Sequence, residues 1–135
     1  MQAAIDGYVA LFDGTVGIHL RRTDNARARQ SSPTELFLAA MEREIEMNAS
    51  TRFFLATDDP EEEARLLKRF GERLIVHAKR SRRREDPLAI QDAVIDLYCL
   101  AACRRIYGSY WSSFSESAQQ LGSAELIILQ STAAT

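Results

Sequence analysis

The stretch Val16-Gly17-Ile18-His19-Leu20-Arg21-Arg22-Thr23-Asp24 is the most informative part of this chain. Small and apolar residues lead directly into a cluster of one histidine, two arginines and one aspartate. In open α/β sheets, ligands bind in the crevice beyond the carboxyl ends of the strands. The planar guanidinium group of arginine binds two phosphate oxygens at once. The stretch therefore predicts a buried β-strand whose carboxyl end opens into a site for an anionic ligand.

Composition predicts one ordinary globular domain over residues 1–135, in which residues 1–15 form an N-terminal helix and a turn. The chain is 46% hydrophobic with a formal net charge of -2, which argues against nucleic acid as a partner. No apolar run approaches the roughly 20 residues of a membrane helix, and the N-terminus lacks the features of a secretory signal. Cys99 and Cys103 lie four residues apart on a predicted helix and are expected to be free thiols. A cytoplasmic protein without a membrane partner is the expectation.

Apolar periodicity and turn signals predict strands and helices that alternate along the whole chain. The expected fold is α/β: a Rossmann-like parallel sheet of about five strands, with helices on both faces. The helix after Ser32-Pro33 is expected to bury Leu36, Ala39, Ala40 and Ile45. Strands are predicted at 16–20, 53–56, 74–76, 105–108 and 125–129, and helices at 2–12, from 33, 60–70, 87–102 and 115–121.

The first two strands end in polar residues that could bind a ligand. On a strand, His19 and Arg21 share one face, whereas Arg22 and Asp24 fall in the following loop. The alternative is a surface Arg–Asp pair of little energetic value. The second strand ends in Thr57-Asp58-Asp59-Pro60 at the same edge of the sheet. Asp59 is explained as a helix N-cap, which leaves Asp58 to orient an arginine, a sugar hydroxyl or a ribose.

Asp96 is an unusual residue for the middle of a helix. A carboxylate suits guanine, because it accepts hydrogen bonds from the ring N–H and from the exocyclic amine. Asp92, near the first turn of the same helix, is explained by the helix dipole. Two Asp and two Cys spread over three turns cannot converge on one ion, so no metal site is predicted.

The segment after the fourth strand, Tyr107-Gly108-Ser109-Tyr110-Trp111-Ser112-Ser113-Phe114-Ser115, leads into a helix. Small hydroxyl residues at a helix N-terminus can bind an anion through free N–H groups and the helix dipole. An ordinary serine N-cap is the alternative interpretation. His77 is isolated in the sequence and is expected to be a surface or core residue. The arginine-rich segment 79–84 is a solvated loop or a loop that closes on a phosphate ligand.

Three blocks resemble, in order, the motifs of the GDP-fucose-dependent α1,6- and O-fucosyltransferase superfamily. His19-Leu20-Arg21-Arg22-Thr23-Asp24 resembles motif I, and Leu55-Ala56-Thr57-Asp58-Asp59-Pro60 resembles motif II. Motif III is matched by Asp96-Leu97-Tyr98, Gly108-Ser109 and Ser112-Ser113-Phe114. The resemblance extends from about residue 15 to residue 121.

The resemblance implies one lobe of a metal-independent GT-B glycosyltransferase, without a cofactor, that binds GDP-fucose or another GDP-sugar. Arg21 would be catalytic, because it would bind the β-phosphate and stabilise the departing GDP. The other residues implied in GDP-sugar binding are His19, Arg22, Asp24, Thr57, Asp58, Asp59, Asp96, Ser112, Ser113 and Phe114.

Two departures from the family pattern leave catalysis by this chain alone open. The 15 residues before motif I are too few for the second, acceptor-binding lobe, so a partner chain, another lobe or a homodimer is expected. The α1,6 enzymes have a carboxylate shortly after motif I, whereas this chain has Arg27 and Arg29 there and no acid between Asp24 and Glu35. The alternatives are a non-catalytic nucleotide-sugar-binding or interaction module, and an α/β domain for another phosphorylated ligand.

Overall fold

The computed structural model describes residues 2–9, 14–20, 34–77, 86–109, 114–122 and 124–129 of the chain. Helices and strands alternate through these ranges as the sequence predicts. The helices are α1 (Gln2–Val9), α2 (Thr34–Met47), α3 (Pro60–Phe70), α4 (Pro87–Ala101) and α5 (Phe114–Leu121), with a short 3-10 turn at Gly71–Arg73. The strands are β1 (Val16–Leu20), β2 (Phe53–Thr57), β3 (Leu74–Val76), β4 (Arg105–Ser109) and β5 (Glu125–Leu129).

The strands form one parallel sheet in the order β3-β2-β1-β4-β5. β1 lies at the centre, where Val16 is in register with Phe53 of β2 and with Arg105 of β4. The chain first winds outward from β1 through β2 to β3 and then crosses back to β4. The winding reverses between β1 and β4, and ligands of open α/β sheets bind at such a reversal. The predicted five-stranded Rossmann-like topology is confirmed.

β1 is buried on both sides because helices cover both faces of the sheet. Val16, Ile18 and Leu20 pack with residues of α2 and α3 in one core cluster. The opposite cluster joins the other sheet face to α1, α4 and α5 through residues such as Ile5, Ile95 and Ala118. His19 alternates with Ile18 and therefore faces the α4 and α5 side.

Local capping signals fix the ends of α3 as predicted. The Asp59 side chain accepts a hydrogen bond from the Glu61 backbone N–H at 2.9 Å, and Pro60 occupies the first helical position. Gly71 ends the helix with a positive φ of 57°, a conformation that suits glycine. α4 starts in the same way, because the Asp86 side chain accepts from the Leu88 N–H at 2.9 Å.

The predicted apolar face of α2 is confirmed only in part. Ala40 is buried, and Ile45 is half-buried and packs against the core cluster, but Leu36 is only half-buried and Ala39 is exposed. The helix is rotated so that it buries Phe37, Ala40, Met41 and the acidic residue Glu44 instead. Larger apolar side chains thereby reach the core. The predicted cap at residues 32–33 lies outside the described residues.

Glu44 anchors α2 to the amino-terminal half of β4. Its carboxylate is fully buried, accepts a hydrogen bond from the Tyr107 hydroxyl at 2.6 Å and pairs with Arg104 and Arg105. Burial by itself raises the pKa of Glu44, but the hydrogen bonds from Tyr107 and Arg105 outweigh it, so the pKa is lowered. Burial and the Glu44 hydrogen bond raise the pKa of Tyr107. These groups lie toward the edge of the sheet opposite the predicted site.

Candidate functional site

His19 makes contacts across the carboxyl ends of β1 and β4, where the fold predicts a ligand crevice. His19 is in register with Gly108, and the Ser109 hydroxyl donates a hydrogen bond to the His19 carbonyl at 3.1 Å. Both His19 and Ser109 are buried. The strand ends are thereby held together at the point where the winding reverses. The described structure confirms that His19 lies at the carboxyl end of a central strand.

An aromatic contact joins the crevice to the first residue of α5. The centroids of the His19 and Phe114 rings are 4.8 Å apart, and their planes are inclined by 36°. This is the range in which aromatic rings attract one another. Two residues 95 positions apart in the sequence thus meet at the site. The N-terminus of α5, with its positive dipole end, is directed to the carboxyl edge of the sheet at β4.

The end of β2 brings three further predicted residues to the same edge. Thr57 is buried beside Leu20 of β1, and its hydroxyl accepts a hydrogen bond from the Asp59 N–H at 3.2 Å. Asp58 and Asp59 are half-buried. Asp59 serves as the N-cap of α3, as its sequence context predicts. Thr57 therefore has a structural role in this turn in addition to any contact with a ligand.

Asp96 lies on the face of α4 that is directed into the protein. Its side chain is buried, and Ile95, Cys99 and Leu100 on the same helix belong to the core cluster that faces His19. Burying a carboxylate destabilises a protein unless the carboxylate has polar or charged partners. The position therefore agrees with the sequence argument that Asp96 is not an ordinary helix-surface residue.

Five of the predicted site residues lie outside the described residues: Arg21, Arg22, Asp24, Ser112 and Ser113. The same holds for Arg27, Arg29 and the arginine-rich segment 79–84. Six predicted residues are described: His19, Thr57, Asp58, Asp59, Asp96 and Phe114. Each of the six belongs to an element or turn at the carboxyl edge or, for Asp96, to the helix on the His19 face.

A hydrogen-bonded chain of half-buried Tyr8 with buried His77 and Asp92 was not predicted. His77 Nε2 lies 2.9 Å from an Asp92 carboxylate oxygen, and His77 Nδ1 lies 3.2 Å from the Tyr8 hydroxyl. Asp92 accepts, so Nε2 carries a proton, and in the neutral ring Nδ1 accepts from Tyr8. The dipole explanation of Asp92 is therefore wrong: the residue is buried in the second turn of α4 and pairs with His77. His77 is a core residue that connects the end of β3 to α1 and α4.

The two cysteines are buried free thiols on α4 and its C-terminal end. The Cys103 thiol donates to the Cys99 carbonyl at 3.4 Å. Burial, with a smaller contribution from Cys99, strongly raises the pKa of Cys103, so this thiol is protonated and weakly nucleophilic.

Within the described ranges, no three His, Cys, Asp or Glu side chains are grouped as metal ligands would be. None of the helices in these ranges has the length and apolar character needed to cross a bilayer.

Comparison with solved structures shows the same architecture in fucosyltransferases. NodZ from Bradyrhizobium matches with a TM-score of 0.60 and 23% identity. A structure of NodZ α-1,6-fucosyltransferase soaked with GDP-fucose matches with a TM-score of 0.59 and 25% identity. In both cases the match covers 90% of this chain and 41% of the other. POFUT1 in complex with GDP matches with a TM-score of 0.60 and 14% identity, over 95% of this chain and 45% of the other.

Neither the protein-family models nor the sequences of curated proteins give a match. The likeness is therefore one of three-dimensional structure, and the chain spans less than half the length of the fucosyltransferases that it resembles. The order of the strands, the parallel pairing and the helices on both faces are those of a Rossmann-like lobe. The chain has a fucosyltransferase-like fold, that of one α/β lobe of a GT-B glycosyltransferase.

Proposed function

We propose that this chain is the GDP-sugar-binding lobe of a fucosyltransferase-like glycosyltransferase. The observation that supports this most strongly is the placement of the three motif-like blocks. Among the described residues of these blocks, His19 lies near the end of β1, Thr57 ends β2, and Phe114 begins α5. The His19 and Phe114 rings are in contact, and Thr57 is in register with Leu20 of β1, the residue after His19, which supports a shared site at this edge of the sheet. Solved structures that share the fold include NodZ co-crystallised with GDP, NodZ soaked with GDP-fucose and POFUT1 in complex with GDP.

The proposed roles follow from the chemistry of each group. His19 and Phe114 would contact the base and ribose, and Asp96 would accept hydrogen bonds from guanine. Thr57, Asp58 and Asp59 would line the pocket beside them. Arg21 would bind the β-phosphate and stabilise the negative charge that develops on the departing GDP. Arg22, Asp24, Ser112 and Ser113 would complete the phosphate and sugar contacts.

The transfer itself would not depend on a metal ion in this proposal. Arginine side chains and the N–H groups at a helix N-terminus can supply the positive charge that a diphosphate requires. Fucose would pass to the hydroxyl of a glycan or protein, with an acceptor-binding lobe or partner chain completing the site. Such a part would also supply the base that removes the proton of the acceptor hydroxyl.

Calorimetric titration of the purified chain with GDP, GDP-fucose, ADP and UDP in the presence of EDTA tests the proposal. Binding of GDP and GDP-fucose in preference to the adenine and uracil nucleotides is the expected result. Equal affinity for all four nucleotides, or a requirement for added Mg²⁺, would contradict it. The competing nucleotides carry the same diphosphate, so the comparison isolates recognition of the base.

A non-catalytic nucleotide-sugar-binding module is the second candidate. It is favoured by the lack of any acid between Asp24 and Glu35, where the α1,6 enzymes are expected to have one. This candidate predicts the same selective binding of GDP-fucose. It differs in a turnover assay with GDP-fucose. In the presence of glycan or protein acceptors and an acceptor-binding lobe or partner chain, the chain releases no GDP above the background rate.

A further inference from the structure

A very close approach between Gly108 and Ser115 joins the end of β4 to the first turn of α5. A Cβ atom on residue 108 would lie 2.5 Å from the Ser115 hydroxyl oxygen and 2.9 Å from its Cβ. The hydroxyl could rotate away, but the Cβ is fixed to the backbone. Positive φ angles occur at Gly14 and Gly71 among the described glycines, so the backbone at residue 108 would accept an L side chain. Glycine is therefore required at residue 108 by the neighbouring helix.

Packing holds Ser115 in this position. Ser115 is fully buried, and within the described part of the chain its hydroxyl oxygen has no hydrogen-bond partner. The small side chain of Ser115 fits this closely packed position although its hydroxyl makes no hydrogen bond to any described residue there. The preceding residue in the same helical turn is Phe114, whose ring contacts His19. His19 is in turn the register partner of Gly108 on β1.

We propose that Gly108 is a positioning residue for the candidate site. The missing side chain lets the first turn of α5 lie against the carboxyl end of β4, which brings the Phe114 ring onto His19. This structural part follows from the contacts alone. Its consequence for nucleotide affinity rests on the proposed function, in which the same turn of α5 contacts the nucleotide.

The size of the expected displacement follows from the Cβ–Cβ distance. In Gly108→Ala the two Cβ atoms must separate from 2.9 Å to the ordinary contact distance of at least 3.4 Å, a movement of at least 0.5 Å. The other end of α5 cannot follow freely, because Gly122 lies closely against the Ala101 carbonyl group of α4. The helix therefore tilts, and its first turn moves away from β4.

Two further variants make the test specific. Gly17→Ala is the matched control, since Gly17 is also a buried strand glycine and its added Cβ would meet side-chain ends, Leu100 Cδ2 at 2.9 Å and Cys103 Sγ at 3.2 Å. Gly17 lies toward the other end of β1, away from the crevice. The reciprocal double variant Gly108→Ala/Ser115→Gly removes the opposing Cβ and restores the space.

NMR of the ligand-free protein measures the structural part directly. The chain has two histidines, so the imidazole resonances of His19 and His77 can be assigned and compared. We expect Gly108→Ala to shift the His19 resonances while His77 stays unchanged, Gly17→Ala to leave both in place, and the reciprocal variant to return His19 to its wild-type position. Unchanged His19 resonances in Gly108→Ala would overturn the proposal. If Gly108→Ala does not fold, the reciprocal variant must fold with wild-type His19 resonances, and its failure would equally overturn it.

GDP titration of the same four proteins measures the binding consequence. The loss of one well-placed contact corresponds to roughly a 10-fold loss of affinity, so Gly108→Ala is expected to weaken GDP binding by about 10-fold. Gly17→Ala should bind as the wild type does, and the reciprocal variant should regain most of the lost affinity. A loss that is equal in Gly108→Ala and Gly17→Ala would contradict positioning. Wild-type protein that discriminates no guanine nucleotide would refute the proposed function, whereas the NMR comparison still decides the role of Gly108.

Discussion

Replacing Glu44 with glutamine should destabilise the protein much more than replacing its neighbour Glu42. Glu44 is fully buried. Its carboxylate accepts hydrogen bonds from the Tyr107 hydroxyl at 2.6 Å and from Arg104 at 3.0 Å, and it forms an ion pair with Arg105. Glu44→Gln keeps the size of the side chain but removes its charge. The two arginines and the tyrosine then lose the group that compensates for their placement around the end of α2.

The expected cost follows from the exposure of the partners. Breaking a buried ion pair by removing one charge costs about 3–5 kcal/mol. The side chains of Arg104 and Arg105 are 39% and 24% exposed, so water can compensate them in part, and glutamine still accepts from Tyr107. We therefore expect a loss of about 2–3 kcal/mol in the free energy of unfolding. For a domain of this size, that corresponds to a fall of about 10 °C in Tm.

Glu42→Gln is the control on the same helix. Glu42 pairs with Arg69 at 3.1 Å, but both side chains are about half exposed, at 45% and 51%. Exposed ion pairs contribute about 0–1 kcal/mol. Urea unfolding followed by circular dichroism measures both variants against the wild type. Equal and small losses in the free energy of unfolding of the two variants would refute the argument that burial makes the Glu44 contacts more stabilising.

The pH dependence of stability provides a second measurement on the same variant. The pKa of Glu44 in the folded protein is lowered from its ordinary value of 4.5, so folding favours the charged form. The stabilisation is present above pH 4.5 and is lost as the pH falls through the lowered pKa of the folded state. Wild-type protein should therefore lose stability below pH 4.5 more steeply than Glu44→Gln. Parallel curves for the two proteins would show that the carboxylate is not responsible.

The remaining predictions concern the candidate site and the buried histidine. Arg21→Ala should abolish GDP binding in calorimetry and leave Tm nearly unchanged, and an unaltered GDP affinity would remove Arg21 from the phosphate site. Asp96→Asn should reduce the preference for GDP over ADP, because the amide donates where the carboxylate accepts; a retained preference would exclude Asp96 from base recognition. Tyr8→Phe removes the hydroxyl that lies 3.2 Å from His77 Nδ1. It should lower the free energy of unfolding in urea by about 1 kcal/mol, whereas an unchanged free energy would show that this contact does not stabilise the fold.

Local signals were sufficient for most of the fold. The apolar strand 16–20 and the Asp59-Pro60 start and Gly71 end of α3 agree with the structure because such signals act between residues close in the sequence. The orientation of α2 was not predictable in this way. Its sequence has apolar residues at two competing helical spacings, and Phe37 and Met41 are buried in place of Leu36 and Ala39. The choice depends on the sheet against which the helix packs.

The sequence alone determined the order of the elements, the parallel α/β class and the positions of His19 and Thr57 near the ends of β1 and β2. The tertiary structure alone decided which distant residues meet. It brought Glu44 to Arg105 and Tyr107, His77 to Asp92, Phe114 to His19 and Ser115 to Gly108. Hydrophobic periodicity and capping are properties of neighbouring residues, whereas ion pairs, ring contacts and close approaches between elements depend on the packing of the whole chain around the sheet.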